Sequence, residues 1–202
     1  MISVDLNCDM GEGFGPWKMG NDAELMKYVS SVNIACGFHA GDSSTIRKTV
    51  EMAIDMGVAI GAHPSFPDIQ GFGRRAMSLS PNEVFDIVLY QVSALKGVCE
   101  ASGGKLHHVK PHGALYNLAA RDENTATLIV NVIKQLNNPE LKLYAPYNSI
   151  LSQIAKENGV EVLFEAFADR NYNADLSLVS RQNNNAILHH KDAVLQHVLS
   201  MI

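Results

Sequence analysis

The chain has 202 residues, 16 Lys and Arg against 21 Asp and Glu, and a net charge of -5. Hydrophobic residues make up 47% and charged residues 18%, which excludes intrinsic disorder and suits one folded domain spanning 1–202. The acidic balance and dispersed basic residues exclude non-specific binding to nucleic acid or acidic membranes.

Six short apolar runs read as strands in chain order: Ile2 to Leu6, Val32 to Cys36, Val58 to Ala62, Leu106 to Lys110, Leu141 to Ala145 and Val160 to Phe164. Such runs fit parallel strands covered on both faces. Helices lie between them. Asp42 or Ser43 caps one whose face is Ile46, Val50, Ala53 and Ile54, with Gly57 ending it. Ser80-Pro81-Asn82-Glu83 is a capping box that opens a helix carrying Val84, Val88, Val92 and Leu95. Asp122 caps another, with Leu128, Val132 and Leu136, and Asp192 to Ile202 reads as a last helix. Strands alternating with helices predict an α/β fold with a parallel sheet, either open and doubly wound or closed into a barrel.

Polar residues gather after the strands. The first strand runs into Asp5, Asn7, Asp9 and Glu12; the second into His39 and Asp42; the third into His63, Asp68, Arg74 and Arg75. The fourth ends at Lys110 and leads to His112 and Tyr116; the sixth leads to Glu165, Asp169, Arg170 and Asn171. In a parallel sheet or barrel the carboxyl ends share one face, so these groups converge there. Lys110 stands out, because it ends an apolar run and Pro111 holds it extended. His107 and His108 point to opposite faces, so at most one joins the site.

Other features have plainer readings. The glycines after Asp9 do not make G-x-G-x-x-G, and neither a Walker A loop nor a G-x-S-x-G elbow is present. Asp42 reads as a helix cap and His189-His190 as surface. Cys8, Cys36 and Cys99 lack paired spacing and read as reduced thiols. With no apolar run of membrane-spanning length and no signal-peptide pattern, a cytoplasmic protein is expected. Asp5, His39, His63 and His112 could supply ligands to a divalent ion, although no local H-x-x-x-H spacing supports it.

Five blocks together resemble the LamB/YcsF family. They are Asp5 to Glu12, Asn33 to Asp42, Gly61 to Asp68 with Gly71 to Arg75, Val109 to Asn117, and Glu165 to Tyr172 with Arg181. The resemblance implies a (β/α) barrel, a distorted seven-stranded TIM-like fold related to polysaccharide deacetylases. Family members continue past position 202 into another strand, so the barrel is expected to lack its last strand here. The resemblance also implies a hydrolase working with the B and C subunits of a prokaryotic 5-oxoprolinase. That system opens 5-oxoproline to L-glutamate while ATP becomes ADP and phosphate. Asp5, His39, His63, Lys110 and His112 are then the expected catalytic residues. Asn7, Glu12, Arg74, Asp169 and Arg170 would bind substrate or phosphate. ATP with Mg2+ is the expected cofactor chemistry, and Asp5, His39 and His63 are the candidate ligands of any further metal. The alternative is a stand-alone metal-dependent deacetylase or amidohydrolase acting on a sugar or small amide without ATP. A non-enzymatic subunit presenting 5-oxoproline to a partner is a third reading.

Overall fold

A computed structural model describes residues 4–201. Among these, the strands are β1 (Asn7–Met10), β2 (Ser31–Ala35), β3 (Ala59–His63), β4 (Leu106–Val109), β5 (Lys142–Pro146) and β6 (Val162–Glu165). The helices are α1 (Asp22–Leu25), α2 (Ser43–Asp55), α3 (Pro81–Ala101), α4 (Gly113–Ala119), α5 (Glu123–Gln135), α6 (Ile150–Glu157) and α7 (Lys191–Met201). The strands form one sheet in sequential order, and the pairs β1/β2, β2/β3, β3/β4 and β4/β5 are parallel. The chain forms two compact units, one ending at Leu163 and the next beginning at Phe164.

The helix signals are realised. Asp42 accepts hydrogen bonds from the Ser44 and Thr45 amides, and Asp122 accepts from Thr125. Ser80 and Glu83 form the reciprocal capping box. Val84, Val88, Val92 and Leu95 are buried along α3. They pack with Val32, Ile34, Ile60, Ala62 and Val109 from the outer face of the sheet.

The inner face is polar, and its contacts reveal the sheet's curvature. Alternate residues of a strand share a face. Ser31 and Asn33 therefore point inward from β2 while Val32 and Ile34 meet the helices. Across three strand spacings β1 and β4 would stand roughly 14 Å apart in a flat sheet. Yet Lys110, just past β4, donates from Nζ to Asn7 Oδ1 (3.1 Å) and Asp9 Oδ1 (3.3 Å) on β1. Tyr144 on β5 donates to Asp5 Oδ2 (2.7 Å), which leads into β1. These contacts require a sheet curled toward a barrel, the TIM-like (β/α) architecture.

The first strand differs from its expected position. Of Ile2 to Leu6, positions 2 and 3 lie outside the described residues, and Val4 and Leu6 are exposed at 61% and 53%. Pairing begins at Asn7, opposite Ser31. An inward polar face selects an alternating strand, Asn7 and Asp9 in and Cys8 and Met10 out, over the apolar run before it.

Candidate active site

Four loops carry the site, each leaving the carboxyl end of a strand. Glu12 follows β1, His39 follows β2, His63 ends β3, and Lys110 and His112 follow β4. His39, His63, Lys110 and His112 are all 5% exposed or less. The His39 and His112 rings stack at 3.8 Å and 6°, and His63 meets His112 edge-on at 4.7 Å and 81°. His112 Nδ1 lies 2.9 Å from His63 Nε2, His39 Nε2 lies 3.4 Å from Glu12 Oε1, and His63 Nε2 lies 3.3 Å from Asp9 Oδ2. One ligand atom from each of Glu12, His39, His63 and His112 lies within 4.8 Å of the others. These four side chains could hold a metal ion.

Backbone geometry supports the cluster. Phe72 and Gly73 adopt positive φ, 53° and 62°. A phenylalanine held there is strained, and such strain persists where surrounding structure imposes it. The turn aims the Phe72 carbonyl at His112 Nε2, 2.9 Å away. It also sets the Phe72 ring edge-on against His39 and His112. A Cβ on Gly73 would press on His39 Cβ and His112 Cδ2, each at 2.9 Å.

The electrostatics separate the groups. Burial, with the nearby His63, pushes His39 down to about 3. Burial, with His63 and His39 beside it, pushes His112 down to about 2. Both rings are neutral near pH 7. Burial pushes the Glu12 carboxyl up to about 7 against the pull of His63, with Asp9 adding to the rise. Burial would also raise Asp9, but His63, Lys110 and the Asn33 hydrogen bond overcome it and hold Asp9 well below the carboxylate range. Burial pushes Cys36 up to about 12 and Cys8 to about 11, so neither supplies a thiolate nucleophile.

One expected site residue lies elsewhere. Asp5 precedes β1 and sits at the amino end of the strands, bonded to Ser30, Ser31 and Tyr144. That is the rim opposite the histidines, because the strand it is expected to follow begins two residues later. Glu12 and His112 join His39 and His63 in the metal-capable group, in the place expected of Asp5. Asp169 and Arg170 belong to the second unit. There Arg170 donates to the carbonyls of Ala186 (3.2 Å) and Val179 (2.7 Å), a brace within that unit. Asn7 and Glu12 are at the cluster. Arg74 is exposed, 5.0 Å over the Phe72 ring, and its charge acts on Glu12 and His39. Arg75 pairs with Asp68.

Asn33 and Ser65, which lie inside the family blocks but are not among the expected site residues, also contribute, as does His108. Asn33 donates to Asn7 (2.7 Å) and Asp9 (2.9 Å) and accepts from His108 Nε2 (2.8 Å). Ser65 stands 3.0 Å from His39 Nδ1. The available signal is a polar residue at every second position of an otherwise apolar strand.

His108 yields a pH prediction. Burial, with His107, Lys110 and His63 nearby, holds its pKa well below the usual value, while Tyr144 stacks on its ring. The unfolded chain takes up this proton near pH ~6.5 and the folded chain does not. Stability therefore falls as pH drops below about 6.5, by up to about 1.4 kcal/mol per pH unit from this group. Urea midpoints across that range should show His108→Gln with a shallower acid slope by about one proton. Equal slopes would remove the assignment.

A curved parallel (β/α) sheet with ionisable groups gathered at its carboxyl rim defines a TIM-like protein of the enzyme type. Residues 4–202 match the LamB/YcsF family, and the chain belongs to that family. It is 52% identical over 203 residues to the A subunit of 5-oxoprolinase from Bacillus cereus (strain AH187), and 53% identical over 202 residues to the same subunit from Tolumonas auensis. Each alignment covers 100% of this chain and 80% of the relative. The crystal structure of a lactam utilization protein from Thermus thermophilus superposes with a TM-score of 0.94 at 43% identity, covering 100% of this chain and 81% of that one. Among the described residues no helix is long and apolar enough to cross a membrane.

Proposed function

We propose that this chain is the A subunit of an ATP-dependent 5-oxoprolinase, a hydrolase that opens the cyclic amide of 5-oxoproline to L-glutamate. It would act with B and C subunits while ATP becomes ADP and phosphate. The observation that carries the reading is the gathering of Asp9, Glu12, His39, His63, Lys110 and His112 at one rim, in a chain about half identical to 5-oxoprolinase A subunits.

A lactam carbon is a poor electrophile. Transfer of the ATP γ-phosphoryl group to the lactam oxygen releases ADP and activates that carbon. One water adds, and the tetrahedral adduct breaks its C–N bond with the nitrogen leaving as an amine. The resulting acyl phosphate is hydrolysed by a second water to glutamate and phosphate. Lys110 would hold the negative charge that develops on the lactam or phosphoryl oxygens. Glu12, with its carboxyl near 7, can exchange a proton with water or with the departing nitrogen. Arg74 would draw the substrate carboxylate toward the mouth. Mg2+ would travel with the nucleotide, bound mainly by phosphate oxygens. The imidazole-rich cluster does not fit that ion.

The test is glutamate formation from 5-oxoproline with ATP, with and without B and C subunits. His112→Ala is expected to lower turnover by at least about 100-fold while circular dichroism stays unchanged. Near-normal turnover would discard the site. Hydrolysis of a sugar amide or other small amide without ATP or partners would favour the deacetylase or amidohydrolase alternative.

A further inference from the structure

We propose that Glu12, His39, His63 and His112 bind one divalent ion of the nitrogen-preferring, zinc-like class, and not magnesium. The proposal deepens the functional reading and rests on it for a place in the reaction, whereas the binding itself stands apart.

Hydrogen bonds hold the outward nitrogen of each ring. His63 Nδ1 faces the Lys110 carbonyl at 2.6 Å, and His112 Nε2 faces the Phe72 carbonyl at 2.9 Å. A carbonyl only accepts, so both nitrogens must donate. Ser65 Oγ lies 2.9 Å from the Phe66 carbonyl, to which it can donate, and 3.0 Å from His39 Nδ1, from which it can accept. The other nitrogen of each ring, His39 Nε2, His63 Nε2 and His112 Nδ1, turns inward toward its neighbours and the acidic side chains Glu12 and Asp9.

His63 Nε2 and His112 Nδ1 stand 2.9 Å apart, close enough to share one cation. Outward N–H bonds to carbonyls or hydroxyls that lock the tautomer are the support that metal-binding histidines ordinarily have. Three imidazoles and one carboxylate suit zinc and its neighbours, while magnesium prefers an all-oxygen shell. When bound, such an ion supplies Lewis acidity beside the Lys110 ammonium.

The experiment uses chelator-stripped protein titrated with zinc, cobalt(II) or magnesium chloride. One equivalent of zinc should survive gel filtration and raise the melting temperature. Cobalt(II) should give a visible ligand-field spectrum that zinc bleaches, and magnesium should not compete. Ser65→Ala, which removes only the acceptor behind His39, should weaken zinc by about 10- to 100-fold. His39→Asn with His112→Asn should abolish retention. Absence of zinc and cobalt binding, binding of magnesium alone, or undiminished retention in the double variant each overturns the proposal. Stoichiometric zinc without any opening of 5-oxoproline would sink the functional reading and leave this one standing. Full turnover by a protein that binds no metal would do the reverse.

Discussion

Lys110→Met is expected to lower ATP-dependent glutamate formation by at least about 1,000-fold in the three-subunit mixture. The side chain is 4% exposed at the end of β4, where Pro111 keeps the backbone extended. Its ammonium rests on Asn7 Oδ1 and Asp9 Oδ1, so its position is set before any substrate arrives. A fixed charge in a poorly solvated rim interacts more strongly with a developing oxyanion or phosphoryl oxygen than one in bulk water. Methionine keeps the stem and removes the charge. It also leaves Asp9 with one less cation, so the variant should lose stability. Adding Asp9→Asn should restore stability by removing the partner carboxylate, yet leave turnover low. Urea unfolding and turnover measured on both variants separate the two roles. Turnover of Lys110→Met within about ten-fold of the parent would remove the lysine from the reaction.

Strand ends are the legible part of the site. His39, His63, Lys110 and His112 are readable because each follows an apolar run, and parallel topology sends all such ends to one rim. Asp5 is misplaced for the same reason in reverse. The run Ile2 to Leu6 has the composition of a strand, which puts Asp5 near its end. The actual strand starts at Asn7 because the inner face of this sheet is polar, and Asn7 and Asp9 alternate correctly for it. A rule built on apolar strands cannot register a polar interior. Asn33 and His108 are hidden by the same rule, since each interrupts an apolar run at an inward position. Glu12 reads as a substrate contact, but its place among the histidines depends on how its glycine-rich loop folds, a tertiary property. The positive φ of Phe72 is beyond reach, because nothing in phenylalanine's chemistry favours it.

Gly61→Ala is expected to destabilise the protein by about 3 kcal/mol or more. Gly61 faces inward from β3, directly opposite His108 across an irregularity in the β3/β4 register. A Cβ built there falls on the His108 imidazole. The ring has little freedom to retreat. It stacks on Tyr144 at 4.1 Å and 10°, donates to Asn33 at 2.8 Å, and lies 3.0 Å from His107 through the other nitrogen. Moving it would leave Asn33 Oδ1 without this donor, and Asn33 is what steadies Asn7 and Asp9 beneath Lys110. Suppression should follow from this crowding. Gly61→Ala with His108→Ala should recover about 2 kcal/mol relative to the sum of the single changes, as expected for residues competing for one volume. Additive losses, or a Gly61→Ala cost below about 1 kcal/mol, would mean that the ring is not what requires the glycine. Barrel interiors are ordinarily filled by branched apolar side chains. Here a neutral imidazole occupies that layer, and the strand beside it gives up its own side chain to make the room.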